Sequence, residues 1–212
     1  MLNFLLNLAV AVTLQSPPSV SEGALQRLKQ GNERFATHAM THQNLDEAIR
    51  ASTSVKQTPF AAIVCCSDSR VAPELVFDQG LGDLFVVRVA GNVVDDNGMG
   101  SLEYAVEHLH VKLIVVLGHA KCGAVSAALS SSGHPMASDS YIPALLKWIA
   151  PAVRKAREQK GDPLGNAIVN NEQIGAWRIR HAKGALGKAI RRGELKVASG
   201  VYDLSSSRVR FD

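Results

Sequence analysis

The sequence predicts an α/β fold: a mainly parallel central β-sheet flanked by helices and preceded by an amino-terminal helical arm. Three observations carry this expectation. Short apolar runs rich in β-branched residues recur along the chain, each with the length of a buried strand rather than a helix. Stretches of helical periodicity separate them, and such alternation argues for parallel pairing through right-handed crossovers. At 212 residues and 46% hydrophobic content, the chain can bury a substantial core, and no Gly/Ser-rich linker or repeat divides it. The expected organisation is an apolar segment over 1–20 followed by one domain over 21–212.

Taken in order, the elements begin with Met1 to Leu14, which is almost wholly apolar but too short to span a bilayer. It has the length of a signal-peptide core, with small residues at Ala9 and Ala11, yet Arg27 is the first basic side chain, so the positive leading region is missing. A cytoplasmic protein is the expectation. Export to a periplasm is the alternative, if the segment is a truncated signal peptide. Ser19-Val20-Ser21-Glu22 reads as a capping box opening a helix whose Leu25, Leu28 and Phe35 share a face. Packing on the chain's own sheet is the plainer option, but a symmetric dimer is expected to bury that face on its partner. Strands are expected at 60–66, 84–90, 112–118 and 195–202. Helices follow Gly100 and Cys122, and a long helical section runs from about 142 to 192, where Pro143 and Pro151 bound or kink it.

Two strand ends hold the chemistry. Cys66 closes the run Phe60 to Cys65, and His119 closes the run Leu113 to Gly118. In an open parallel sheet the carboxyl ends of the strands share one edge, where such folds place their ligands, so Cys66 and His119 can meet there. The step His119-Ala120-Lys121-Cys122 lets one tight turn present an imidazole and a thiolate to the same ion, and Gly123 allows the backbone to bend just after it. Two thiolates and an imidazole suit tetrahedral zinc, with a fourth position left for water or Asp68. Magnesium and calcium prefer oxygen donors, and an iron–sulfur cluster usually takes four cysteines, whereas the chain has 3. A closed zinc site, with Asp68 or a second histidine as permanent fourth ligand, is the structural alternative. Reading Cys66 as a mere core thiol leaves Asp68 and Arg70, just beyond it, without a reason.

The run Cys66-Ser67-Asp68-Ser69-Arg70 is followed in order by Arg88-Val89-Ala90-Gly91-Asn92, Ser101-Leu102-Glu103-Tyr104-Ala105 and Gly118-His119-Ala120-Lys121-Cys122-Gly123. The ordered set resembles the β-class carbonic anhydrases, over about residues 20 to 210. The resemblance implies that Cys66, His119 and Cys122 bind one zinc ion per subunit and that Asp68 and Arg70 form a catalytic dyad. It further implies that Gln57, nine residues before Cys66, holds substrate, and that Phe85 and Tyr104 line the pocket, Tyr104 being donated by a neighbouring subunit. The implied enzyme is a homodimer or tetramer that interconverts carbon dioxide and bicarbonate. Family members that close the site by swinging the aspartate onto zinc often carry an amino-terminal tryptophan. Here the tryptophans are Trp148 and Trp177, so the resemblance implies an open site.

The expected mechanism follows from charge. Zinc lowers the pKa of bound water, and the resulting hydroxide attacks carbon dioxide. Asp68 accepts its hydrogen bond while Arg70 keeps Asp68 ionised and aimed. Two thiolates reduce the charge on zinc, so activity should rise toward alkaline pH. A related hydrolase acting on carbonyl sulfide or carbon disulfide would use the same ligands and differ in pocket shape. A non-catalytic zinc scaffold is the third reading.

The net charge of +4, from 23 basic and 19 acidic residues, is a mild excess compatible with a solubility role. The basic stretch from Arg178 to Arg192 is interrupted by Ala185, Leu186, Ala189 and Ile190 at helical spacing, which reads as a solvated helix face, not a nucleic-acid surface. No nucleic acid and no stable membrane insertion are expected. Cys65 has no evident partner and points to the opposite strand face from Cys66. His108, His110, His134 and His181 read as surface or helix-end residues, any of which can carry protons near neutral pH.

Overall fold

A computed structural model describes residues 19–131 and 139–212. The apolar amino-terminal segment up to residue 18 and His134 lie outside the described residues. The central sheet has five strands in the order β2-β1-β3-β4-β5: β1 (Ala61–Cys65), β2 (Leu84–Arg88), β3 (Leu113–His119), β4 (Lys196–Tyr202) and β5 (Val209–Phe211). The first four pair in parallel, and β5 runs antiparallel to β4. The four expected strands are present with ends shifted by one or two residues. The fifth was not expected.

Every residue of β1 and β3 is buried, because helices cover both faces of the sheet, the condition that lets parallel strands read as unbroken apolar runs. Alternate side chains feed two different layers. Ala62, Val64, Ile114 and Val116 pack with Leu102, Ala105, Ile179 and Leu186, from helices α4 (Asp96–Glu107), α7 (Pro163–Arg180) and α8 (Gly184–Arg191). Ala61, Ile63, Cys65, Leu113 and Leu117 pack instead with Leu28, Val76 and Phe77, from α1 (Val20–Ala36) and the end of the short α3 (Pro73–Val76).

The capping box at Ser19 forms: the Glu22 amide donates to the Ser19 hydroxyl and the Ser19 amide to the Glu22 carboxylate. Leu28 is fully buried, and Leu25 and Phe35 lie against the same cluster. The apolar face of α1 therefore covers the protomer's own sheet, and a dimer does not need to bury that face. The arm is fixed further by Asp78, which accepts from Arg34 Nε at 2.5 Å and from the amides of Thr41 and His42.

The helix expected after Gly100 starts earlier, at Asp96, where Asp95 caps the amide of Gly98. The long helical section resolves into α6 (Ile142–Arg157), α7 and α8. Pro143 sits in the first turn of α6, while Pro151 lies inside the same helix. Helix α2 (Glu47–Val55) was not foreseen and contains no buried residue. The basic stretch is used structurally: Arg178 donates to the Val94 carbonyl and to Asp96, Arg180 donates to the Val197 carbonyl, and Leu186 and Ala189 are buried. Among the described residues no helix is long and apolar enough to cross a membrane.

Candidate metal centre

The carboxyl ends of β1 and β3 lie side by side because the two strands pair directly, Cys65 opposite Leu117. Cys66 leaves the end of β1, and His119 is the last residue of β3. Cys122 is the N-cap residue of α5 (Gly123–Ser130). The turn from His119 to Cys122 is made by Lys121, which adopts φ 56°. Gly123 has no such φ and simply begins the helix, so the bend falls two residues earlier than expected. The reason is that Cys122 must stay extended to cap α5.

One donor atom from each of Cys66, His119 and Cys122 lies within 4.8 Å of the others, and all three residues are buried. Tetrahedral bonds of about 2.0–2.3 Å to nitrogen and sulfur hold donors at such spacings. The imidazole is oriented for the task. Its Nδ1 faces the Ala120 carbonyl at 3.0 Å, which fixes the proton there and leaves Nε2 as the free lone pair. That Nε2 is buried with no hydrogen-bond partner, an arrangement that costs free energy unless an ion completes it. The thiols agree. A hydrogen bond from Cys122, aided by His119 and by the amides of Asp68 and Gly91, pulls the Cys66 thiol well below its ordinary range, while Cys122 is held up by its partner. A metal ion bound there would displace that last proton by taking both sulfurs as thiolates.

Asp68 reaches the same pocket. Its Oδ2 is 3.8 Å from His119 Nε2, but both carboxylate oxygens are taken by Arg70, Nε to Oδ1 at 2.9 Å and Nη2 to Oδ2 at 2.7 Å. The Arg70 guanidinium holds the carboxyl far below the usual carboxylate range. Arg88 fixes the loop beneath, donating to the carbonyls of Cys66 and Asp68 at 3.2 and 2.8 Å.

The remaining residues of the sequence reading stand elsewhere in the protomer. Phe85 pairs with Ala62, three strand residues back from the ligand edge, and its ring lies 6.3 Å from that of Tyr104. Tyr104 is half exposed. Gln57 is exposed and precedes β1, so the strand enters the sheet between Gln57 and Cys66. Phe85 packs in the layer that holds Ala62 and Leu102, whereas Cys66 and Cys122 belong to the layer that holds Ile149 and Val153. Cys65 points into the other layer, where burial pushes its thiol up to about 12. His181 stacks on Trp177 with ring centroids 4.3 Å apart, and His108 lies 5.0 Å from Tyr104.

The family model for carbonic anhydrase matches residues 61–209. The chain belongs to the β-class carbonic anhydrases. It is 40% identical over 188 residues to carbonic anhydrase 2 of Mycobacterium tuberculosis, covering 87% of this chain and 89% of that one. Carbonic anhydrase of Mycolicibacterium smegmatis is 38% identical over 198 residues, with 92% and 95% covered. The solved β-carbonic anhydrase CcaA superposes with a TM-score of 0.69 at 26% identity, over 88% of this chain and 94% of that one. The protein is a carbonic anhydrase, an enzyme of reversible carbon dioxide hydration.

Sequence reasoning missed residues that support this carbonic anhydrase centre from behind. Arg88 and Gly91 lie within a recognised motif but carried no role. Asn171 and Glu172, on α7, gave no signal: both sit in a run of helical residues that only the fold carries to the sheet. Glu172 is fully buried, and its side chain lies beside Gly118, the residue before His119. Neither of its carboxyl oxygens has a donor among the described residues. Burial, with Asp212 close by, pushes its carboxyl up to about 9.

Proposed function

We propose that this carbonic anhydrase works with one zinc ion per subunit, held by Cys66, His119 and Cys122, and that Asp68 and Arg70 serve the chemistry. The observation that carries the reading is the buried, unpartnered His119 Nε2 facing two thiols, with the Asp68 carboxylate 3.8 Å away. Zinc, when bound there, supplies a water that ionises near neutral pH. The chain's own residues do the rest. Asp68, kept ionised by Arg70, accepts a hydrogen bond in the pocket and so orients the attacking group toward carbon dioxide. Arg70 holds the carboxylate at both oxygens, which keeps it from turning toward the ligands. That pairing favours an open, catalytic site over a closed scaffold in which Asp68 is the fourth ligand.

The substrate pocket is completed by a second copy of the chain. β2 is an edge strand whose side chains are mostly half-buried, and Phe85 and the exposed Tyr104 stand on or beside it. An unpaired edge with aromatic cover is suited to association. A homodimer joined there, able to pair into a tetramer, gives Gln57, Phe85 and Tyr104 a route to the partner subunit's site. Stopped-flow carbon dioxide hydration, with zinc content measured on the same sample, tests the reading. Hydration with one zinc per subunit supports it, and hydration by metal-free protein refutes it. Carbonyl sulfide and carbon disulfide, assayed in parallel, should turn over more slowly.

A further inference from the structure

The Cys66 sulfur is held by more than its place at the end of β1. Two backbone amides donate to it, that of Gly91 at 3.1 Å and that of Asp68 at 3.4 Å. The Asp68 amide belongs to the same loop and follows from the local turn. The Gly91 amide comes from a different segment, the 3₁₀ turn over Ala90–Asn92, and needs an unusual backbone to face the sulfur. Gly91 adopts φ 69°, and a Cβ there would meet Ile149 Cδ1 at 2.7 Å and Ala124 Cβ at 3.2 Å. The positive φ favours glycine, and an added Cβ would also push back the end of the Ile149 side chain and crowd Ala124.

A glycine in so permissive a conformation needs something to hold it. That is Asn171, whose Nδ2 donates to the Gly91 carbonyl at 2.7 Å in a buried setting. Asn171 is 5% exposed and rides on α7, which packs against both β3 and the 3₁₀ turn. The contact joins residues 80 positions apart, so it carries no local turn requirement. Its consequence runs through the Gly91 dihedrals: Asn171 holds the Gly91–Asn92 peptide plane, whose Asn92 amide also donates to the Val89 carbonyl at 2.9 Å, and so restrains the φ and ψ of Gly91 that aim its own amide at Cys66.

An amide that donates to a thiolate draws electron density from the sulfur. A metal bound by that sulfur then receives less charge from it. In metal centres generally, the groups that orient and tune the ligands matter nearly as much as the ligands. We propose that Asn171 is a positioning residue of the metal centre, which sets the donor strength of Cys66 by holding Gly91 in the conformation that aims its amide at the sulfur. The inference rests on the metal reading above and adds to it a residue that touches neither metal nor substrate.

The test uses the full-length protein with zinc exchanged for cobalt(II), whose sulfur-to-metal charge-transfer band reports the electron richness of the thiolates. Asn171→Leu keeps the branched side-chain outline and deletes the donor. Asn171→Ser is shorter and tests whether loss of reach alone has the same effect. Both variants should bind metal, with the charge-transfer band moved to lower energy, as a more electron-rich thiolate requires, and with zinc affinity, by chelator competition, changed about 10-fold or more. Because a buried carbonyl left unpaired can impair folding, the parent is also examined with cadmium-113. A proton–cadmium correlation should link the Gly91 amide to the metal through Cys66. Its absence overturns the proposal, as do variants with the parent's spectrum and affinity and only a lower Tm. A parent that takes up no cobalt, zinc or cadmium overturns the metal reading itself, which is a different result.

Discussion

Arg70 grips both carboxylate oxygens of Asp68, at 2.9 and 2.7 Å, from two residues further along the same loop. The pair is complete in a single protomer and stands 3.8 Å from the imidazole nitrogen of His119. On the proposed reading Asp68 is therefore an ionised, aimed acceptor beside the three candidate ligands and not a fourth ligand. Asp68→Asn should keep stoichiometric zinc and lose about 10²-fold or more in kcat/KM. Metal analysis and stopped-flow hydration on one preparation check this, and hydration at the parent rate would remove Asp68 from the mechanism.

The ligand set makes a separate prediction. Cys66→Ser, His119→Ala and Cys122→Ser should each fall well below one zinc per subunit after purification, since a tetrahedral centre deprived of one strong donor binds weakly. Prolonged chelation of the parent should have the same effect and be reversed by added zinc. Full zinc content in Cys122→Ser is the outcome that excludes that residue.

Turnover should fall toward acid. Asp68 is not the cause, because Arg70 holds its carboxyl far below the ordinary range, so it stays ionised through the weakly acidic region. The fall reflects instead the loss of the ionised water that zinc provides, in a site where two thiolates offset the metal's charge. A pH–rate profile run with zinc-edge absorption spectroscopy reads both activity and coordination. An unchanged coordination shell across the drop is expected, and a flat profile from acid to alkaline pH contradicts the account.

Glu172 gives a stability prediction. Its carboxyl is pushed up to about 9 in the fold from an ordinary 4.5, so in the interval between them the unfolded chain releases a proton that the folded chain keeps. Its contribution to stability is full below the ordinary value and is lost as pH rises through the interval. Glu172→Gln removes this dependence. The variant should gain on the parent as pH rises from 5 to 9, by on the order of 1–3 kcal/mol at the upper end. Denaturant melts at several pH values measure it, and a difference independent of pH would rule out the buried neutral acid.

Assembly is the fifth point. The smallest active species should be a homodimer, because Phe85 packs in a different layer from Cys66 and Cys122 and Tyr104 is half exposed beside it. Sedimentation at assay concentration should show no fully active monomer. Tyr104→Ala should weaken association and substrate use together, leaving zinc in place.

Much of this was legible in the residues. The strands over 61–65 and 113–119 announced themselves as unbroken apolar runs because parallel interior strands are covered on both faces. Two of the candidate ligands were legible for a related reason: Cys66 and His119 each close such a run, and neighbouring parallel strands end on one edge. β5 was not, since Val209, Arg210 and Phe211 are too few to show a period, and their pairing depends on β4. Nor was α2, which buries nothing and so leaves no apolar stripe. The coverage of α1 was open in the sequence, which cannot say whether an apolar face meets its own sheet or another copy, and Leu28 settles it.

By itself the sequence determined the fold class and brought Cys66, His119 and Cys122 forward as candidate metal ligands, because each depends on local spacing or on a run of one residue type, while the family resemblance pointed to Asp68 and Arg70 as a pair. Only the tertiary structure decided which imidazole nitrogen is free, where the turn before Cys122 bends, and that Asn171 reaches Gly91 across 80 residues. Hydrogen bonds between distant segments follow from how layers pack, and packing sums over the whole chain. No window of sequence contains that sum, so the groups that tune this centre were silent until the fold brought them together.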